Sequence, residues 1–172
     1  MGRFLFGILI GLIAWPLAAY IYFHFGFAPV ATAAAPMPFE KKLAHMALKA
    51  RIRREAPRNS PVPVSDANYL AGAHLYRTHC AVCHGLPGQP ETAIPKGMFP
   101  RPPQLFKGKG VTDDPAGETY WKVANGIRLS GMPGFEHALS ETQMWQLSLM
   151  LANGNKLPED VQTVLHQPAT PN

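Results

Sequence analysis

The 172-residue chain has two cysteines, and both lie in the stretch RTHCAVCHG at 77–85. A structural zinc site uses four ligands, and no second pair of cysteines or histidines with ligand spacing accompanies this one. No alternating strand pattern surrounds the stretch, so the βαβ setting of a thioredoxin-like redox pair is also missing. These absences disfavour a zinc site and a thiol redox pair.

Charged residues are scarce as well, at 16% of the chain. Residues 1–65 carry eight Lys/Arg and two Asp/Glu, a net charge of +6, whereas residues 66–172 carry eight and nine, a net charge of −1. A nucleic-acid-binding domain would carry its basic residues on the folded part. Because the excess lies ahead of that part, we expect no nucleic-acid partner.

The first apolar run, Phe4 to Phe27, contains 24 residues without Lys, Arg, Asp or Glu. As a helix it would extend roughly 36 Å, enough to cross a hydrocarbon core. We therefore predict a transmembrane anchor over 1–27. A cleaved secretory signal is the alternative, since ATAAA at 31–35 offers small-residue cleavage sites. Either interpretation exports the rest of the chain, although the basic residues that follow run against the positive-inside rule.

Three further regions follow the anchor. Residues 28–65 are rich in proline and alanine and are predicted to be a linker that contains a basic helix over 41–56. Three roles remain open for that helix: a solvated spacer, a segment that binds an anionic membrane surface, or a segment that binds an acidic partner. Residues 66–155 are predicted to form the folded domain, and residues 156–172 a flexible tail.

The folded domain is predicted to be helical from its capping signals. Ser65 or Asp66 can cap a first helix, Pro115 can begin a second that ends before Gly126, and Ser140 begins a capping-box pattern for a third. Three helices in about 90 residues bury little apolar surface on their own. Such a domain is expected to hold a large apolar cofactor.

Cys80, Cys83 and His84 form the C-x-x-C-H pattern of covalent c-type haem attachment. The spacing places two thiols one helical turn apart, with an imidazole next to them for the iron. One haem c is therefore the predicted cofactor, with thioether bonds from both cysteines. Haem attachment of this kind takes place outside the bacterial cytoplasm, which agrees with an exported domain.

The region 66–155 resembles the class I cytochromes c. The resemblance rests on GAHLYRTHCAVCHG (72–85), RPPQL (101–105), NGIRLSGMPGF (125–135) and WQLSLML (145–151). It implies an all-α fold, a small helical domain around a covalent haem, here preceded by one transmembrane helix. It also implies that the first and last helices cross closely, with Gly72 and Tyr76 packing on Trp145 and Leu149.

Met132 is the predicted sixth ligand of the iron, opposite His84. It lies 48 residues after His84 in SGMPGF, where glycine and proline can hold a thioether in a rigid turn, and the family places its methionine ligand in a similar context. The other candidates are Met98, which follows His84 too closely, Met144 and Met150, which suit a helix core, and His137 and His166.

Further cofactor contacts are implied by the resemblance. A proximal histidine usually donates its second ring N–H to a carbonyl or carboxylate, and in this family a proline carbonyl accepts that bond. The matching position is Pro102 or Pro103. Three residues can reach the haem propionates, with core packing or a surface charge as equal alternatives: Tyr120, Trp121 and Arg128.

Histidine and methionine together fill both axial positions and raise the reduction potential. The expected function is therefore one-electron transfer, without catalysis, by a carrier on the extracytoplasmic (periplasmic) face of the bacterial inner membrane. The expected partners are a redox protein donor and acceptor, such as a dehydrogenase or oxidase complex of which the chain can be a subunit. If Met132 is not a ligand, the alternative is an open-site haem protein, a peroxidase or gas sensor.

Overall fold

The computed structural model describes residues 1–107 and 114–168. This part of the chain contains helices and no strand, which confirms the all-α prediction. Residues 108–113, within the predicted folded domain, and 169–172, the end of the predicted tail, lie outside the described residues. The helices are α1 Gly2–His24, α2 Glu40–Glu55, α3 Asp66–His79, α4 Ala81–His84, α5 Ala93–Lys96, α6 Ala116–Asn125, α7 Glu141–Ala152 and α8 Glu159–His166.

The chain divides into two compact units, Met1–Leu43 and Ala44–Asn172. The first unit contains α1, whose 23 residues include a window with a mean hydropathy of 2.2. Among the described helices, α1 is the one that is long and apolar enough to cross a membrane. Its side chains are exposed throughout, as a helix that faces lipid requires.

The second unit starts earlier than Asp66, the boundary predicted from the sequence. Ile52 of α2 is only 4% exposed, and the indole N–H of Trp121 in α6 donates to Glu55 Oε2 at 3.1 Å. The backbone of Pro57 lies directly against Gly117. The prediction that 28–65 is a linker outside the folded domain is therefore wrong for its C-terminal part, because Glu55 and Pro57 contact α6.

The core of the second unit is the crossing of α3 and α7. Ser65 caps α3 by accepting a hydrogen bond from the Asn68 backbone N–H at 3.3 Å. At Gly72, a Cβ would meet the backbone carbonyl of Gln146 and, at 2.9 Å, the Cβ of Met150. The close crossing is as expected, but the residues opposite Gly72 are Gln146 and Met150.

Helix α6 packs against α7 and extends the core. Pro115, the predicted first residue of α6, is its N-cap, so the helix begins one residue later, at Ala116. At α7 the predicted capping box is present: the Gln143 N–H donates to Ser140 Oγ at 3.2 Å, and the Ser140 N–H donates to Gln143 Oε1 at 2.8 Å. The two helices meet where Tyr120 stacks on Trp145, with ring centroids 4.4 Å apart.

Helix α8 contradicts the prediction of a flexible tail over 156–172. Val161 is fully buried and Leu165 is 2% exposed, and α8 packs against α3. The Arg77 guanidinium donates to the carbonyl oxygens of Val164, Gln167 and Pro168 at 3.0, 2.7 and 2.9 Å. It therefore satisfies carbonyl groups that the end of a helix leaves without intrahelical partners.

We expect Gly72→Ala to lower the free energy of unfolding by about 1–3 kcal/mol, because the new methyl group would overlap backbone atoms of α7 that cannot rotate away. Denaturant unfolding of the holoprotein measures this change. Gly97→Ala is the control, since its Cβ would meet only the Ile94 carbonyl oxygen at an ordinary 3.7 Å. Equal stability of the two variants would contradict the close crossing.

Candidate functional site

The cysteine motif forms a single helical turn at the end of α3. Cys80 is both the C-cap of α3 and the N-cap of α4. Its carbonyl oxygen accepts hydrogen bonds from the backbone N–H groups of Cys83 and His84 at 3.1 and 2.9 Å. Because one turn contains all three residues, their positions relative to one another are set by local backbone geometry. Gly85 then ends the turn with a φ of 73°.

Two side chains from outside the motif hold this turn. The fully buried Tyr76 donates its hydroxyl to the Gly85 carbonyl oxygen at 2.7 Å and contacts Phe106 edge to face, with ring centroids 5.1 Å apart. Burial raises the pKa of Tyr76 well above its ordinary value, so the hydroxyl keeps the proton that it donates. The Gln104 side chain lies where a Cβ on Gly85 would be, and its amide is 3.5 Å from the Cys83 carbonyl oxygen.

His84 is oriented by a backbone carbonyl. Its Nδ1 lies 2.8 Å from the carbonyl oxygen of Pro103, so a protonated Nδ1 donates there and leaves Nε2 as the free lone pair. The pKa of His84 is lowered by burial, an effect that the bond to Pro103 partly opposes. Of the two prolines expected near His84, Pro103 supplies the contact and Pro102 is its half-buried neighbour. A neutral imidazole with one fixed N–H is the form that ligates a metal.

The pKa of Cys80 argues against a thiol redox pair. Burial, helped by the negative charge of a Cys83 thiolate, raises the pKa of Cys80 to about 12. Reactive dithiols work in the opposite direction, because their attacking cysteine has a pKa lowered to roughly 3.5–7.5. Within residues 1–107 and 114–168, no three His, Cys, Asp or Glu side chains gather as a metal site. The zinc interpretation therefore gains no support either.

Met132 lies in a tight loop that is closed by its own hydrogen bonds. The Ile127 N–H donates to the Met132 carbonyl oxygen at 3.1 Å. The Ser130 hydroxyl donates to the Ile127 carbonyl oxygen at 2.6 Å, and the Met132 N–H lies 3.3 Å from the Ser130 Oγ. Gly131 has a φ of 77°, which a glycine adopts without steric cost. The backbone on either side of Met132 is therefore fixed.

The ends of this loop are packed against each other and against the cysteine motif. A Cβ on Gly126 would lie 2.5 Å from the Gly134 nitrogen and 2.7 Å from the Met132 carbonyl oxygen. The Phe135 ring, just after the loop, contacts the His79 ring edge to face with centroids 5.9 Å apart. His79 directly precedes Cys80, so this contact joins the two parts of the site.

An open cavity of about 420 Å³ adjoins the methionine loop. Seven residues line it: Asn125, Ile127, Arg128, Leu129, Gly131, Met132 and Pro133. Arg128 is exposed at its rim, a position compatible with a contact to an acidic group. Met98 also approaches this loop, since a Cβ on Gly131 would come within 2.6 Å of its methyl group.

Tyr120 and Trp121, the other two candidates for propionate contacts, already have other roles. Tyr120 is stacked on Trp145 in the core, where burial raises the pKa of its hydroxyl. Trp121 uses its indole N–H for Glu55. These contacts match the alternative role that the sequence left open for both residues, packing of the domain. Met144 and Met150 are 4% and 0% exposed in α7, which agrees with their assignment to the core.

The donor set suits a covalent haem. Two thiols and one imidazole project from a single turn, the imidazole has its second nitrogen tied to Pro103, and a methionine stands in a rigid loop joined to that turn through Phe135 and His79. Residues 67–149 match the family model described as subunit III of the cbb3-type cytochrome C oxidase. This region is a class I cytochrome c domain. It binds haem c, the cofactor of that family.

A search of curated proteins finds no match to this chain. The domain type is that of an electron carrier.

The sequence did not predict the role of Gln104 in the site or the second role of Gly126. Gln104 fills the space beside Gly85, and its only signal was its place in RPPQL. Gly126 was noted as a helix terminator, but its second role, as the closing point of the methionine loop, depends on a contact eight residues away at Gly134. Such contacts depend on the tertiary structure and leave no local pattern.

We expect Gly126→Ala to disturb the methionine loop more than a positive φ alone explains. Gly88→Ala is the matched control, because Gly88 has a φ of 70°, similar to the 66° of Gly126, but no atom within 4 Å of its Cβ position. Both variants place a side chain at a positive φ, a backbone conformation that favours glycine. Only Gly126→Ala should lose further stability in denaturant unfolding and change the haem absorption spectrum. Matching losses in the two proteins would argue against a closed loop.

Proposed function

We propose that this chain is a membrane-tethered monohaem cytochrome whose iron is ligated by His84 and Met132. The observation that carries the proposal is the Nδ1 contact of His84 to Pro103 at 2.8 Å, since it leaves Nε2 for the iron and fixes the plane of the ring. The fixed backbone around Met132 supports the second ligand, because a ligand held in place costs no reorganisation when the charge of the site changes.

The haem, when bound, supplies the one-electron chemistry. The residues of the chain hold it: Cys80 and Cys83 would form the thioethers, and Tyr76 and Gln104 keep their turn in place. Tyr76 and Leu105, beside the cysteine turn and Gln104 in sequence, belong to the buried core of the unit. Arg128 is proposed to face a propionate from the rim of the cavity.

We further propose that α1 anchors the protein in the bacterial cytoplasmic membrane, with the cytochrome domain on the extracytoplasmic side. Support comes from the length and hydropathy of α1 and from the site of haem attachment in bacteria. The proposed partners are a donor and an acceptor in a respiratory chain, an oxidase or a dehydrogenase complex. The family description, which names an oxidase subunit, favours the oxidase.

The ligand assignment predicts that Met132→Ala loses the weak red methionine-to-iron band of the ferric spectrum and has a lower reduction potential, because a methionine ligand raises that potential. Met98→Ala is the control, since Met98 is the other methionine beside this loop and should leave both properties unchanged. Loss of the band in Met98→Ala alone would transfer the ligand role to Met98. A wild-type protein without the band would favour an open-site peroxidase or gas sensor.

The anchor assignment predicts that the mature protein keeps residues 1–27 and stays with the membrane under alkaline extraction. A helix that spans a bilayer is not released by salt or high pH, whereas a peripheral contact is. The intact mass of the holoprotein decides the matter. A mass that corresponds to a start within 31–36, together with release into the soluble fraction, would identify α1 as a signal.

A further inference from the structure

The apolar stripe of α2 is exposed. It consists of Leu43, Met46, Ala47 and Ala50, which follow the 3–4 spacing of one helix face. Leu43 is 55% exposed and Met46 60% exposed. The contact of α2 with the cytochrome domain uses the opposite face, because Ile52 lies nine residues after Leu43, roughly 180° away around the helix. The contact between α2 and the cytochrome domain therefore leaves the stripe exposed.

Basic side chains border this stripe on both sides. Lys49 and Arg53 lie one turn apart along one edge, and Arg51 lies along the other; Arg54, four residues after Ala50, continues the line of the stripe at its end. All four are exposed. Helix α2 has two acidic residues: Glu55 pairs with Arg51 at 2.8 Å and accepts the Trp121 indole N–H, and Glu40 in the first turn accepts a hydrogen bond from the Met37 backbone N–H at 2.8 Å. The exposed face of α2 thus combines apolar side chains with Lys49, Arg53 and Arg54, which form no ion pair within the described residues, whereas the charge of Arg51 is compensated by Glu55.

We propose that this face of α2 binds the anionic phospholipid headgroups of the membrane that α1 enters. Clustered Lys/Arg close to a membrane-spanning helix are the pattern of a segment that binds anionic headgroups, and the exposed side chains of Leu43 and Met46 add apolar contacts with the same surface. The proposal rests on the anchoring role proposed for α1. Only residues 25–39 separate α1 from α2, so α2 stays within reach of the same bilayer.

Lipid is favoured over an acidic protein by the shape of this face. A protein partner for Leu43 and Met46 would need a complementary groove, whereas a bilayer accepts any row of apolar side chains with a cationic border. The consequence is specific. Because Glu55, Ile52 and Pro57 tie the end of α2 to the cytochrome domain, binding of α2 would also fix how the haem domain faces the membrane.

The test measures how fast a surface oxidant, chloramine-T, converts Met46 to its sulfoxide in the full-length holoprotein. The protein is placed in nanodiscs of phosphatidylcholine alone, or of phosphatidylcholine and phosphatidylglycerol in equal amounts. We expect oxidation of Met46 to be several-fold slower in the anionic discs, and the difference to shrink in high salt, because lipid charge is screened. Met98, in the cytochrome domain, serves as the internal reference.

Two charge-reversal variants show whether α2 is responsible. Lys49→Glu, Arg53→Glu and Arg54→Glu together should abolish the slowing, because each basic residue near an anionic surface strengthens binding by about fivefold, so that loss of three weakens it by roughly a hundredfold. The control combines Lys96→Glu, Lys107→Glu and Lys156→Glu, three exposed lysines elsewhere on the cytochrome unit, with the same change in net charge. It should keep the slowing.

Three results would overturn the proposal: equal Met46 rates in the two kinds of disc, an equal effect of both triple variants, or slowing that needs an added partner protein. If α1 is a cleaved signal and not an anchor, the result is different, because the mature chain lacks α1 and is not incorporated into the discs. The oxidation rate of Met46 in that chain would then be measured with vesicles of the same two lipid compositions. Slower oxidation with the anionic vesicles would support binding of α2 to lipid, and equal rates would overturn it. The ferric spectrum tests the haem ligands separately.

Discussion

Gly72 lies against the backbone of α7, at a point where any side chain would overlap the Gln146 carbonyl group and Met150. This contact sets how closely α3 and α7 approach, and α3 leads directly into the turn that contains Cys80, Cys83 and His84. Tyr76, one turn after Gly72, is thereby buried and able to hold the Gly85 carbonyl oxygen. The positions of Cys80, Cys83 and His84 therefore depend on helix packing that involves none of them.

The sequence predicted the structure correctly where interactions between neighbouring residues determine it. Ser140 and Gln143 form their capping box, Ser65 caps α3, and the Cys80 turn forms where the motif predicts it, because each depends on residues within one or two turns. For the proline that contacts His84, the sequence left two candidates, Pro102 and Pro103. The choice of Pro103 depends on the path of a loop 19 residues away, which no local pattern encodes.

The two errors in domain organisation have the same physical origin. Residues 156–172 were expected to be flexible, yet Glu159 and Asp160 stand in the first turn of α8 and His166 in the last, which are ordinary helix signals. Eight residues are too few for a stable isolated helix, so α8 depends on burial of Val161 and Leu165 and on Arg77. The end of α2 likewise depends on Trp121 in α6. Tertiary contacts decide both, and these contacts join residues far apart in sequence.

The distribution of charge gives α2 a further significance. Residues 66–172 have a net charge of −1, so the cytochrome domain itself produces little long-range attraction for a charged partner. Residues 44–65 contribute five Lys/Arg and one Glu, and they belong to the same compact unit. The positive charge of that unit therefore comes from α2 and the residues directly after it. Glu55 and Ile52 attach α2 to the cytochrome domain, so the positive charge of α2 has a fixed position on that domain. An anionic surface that binds α2 therefore also determines which side of the cytochrome domain faces it.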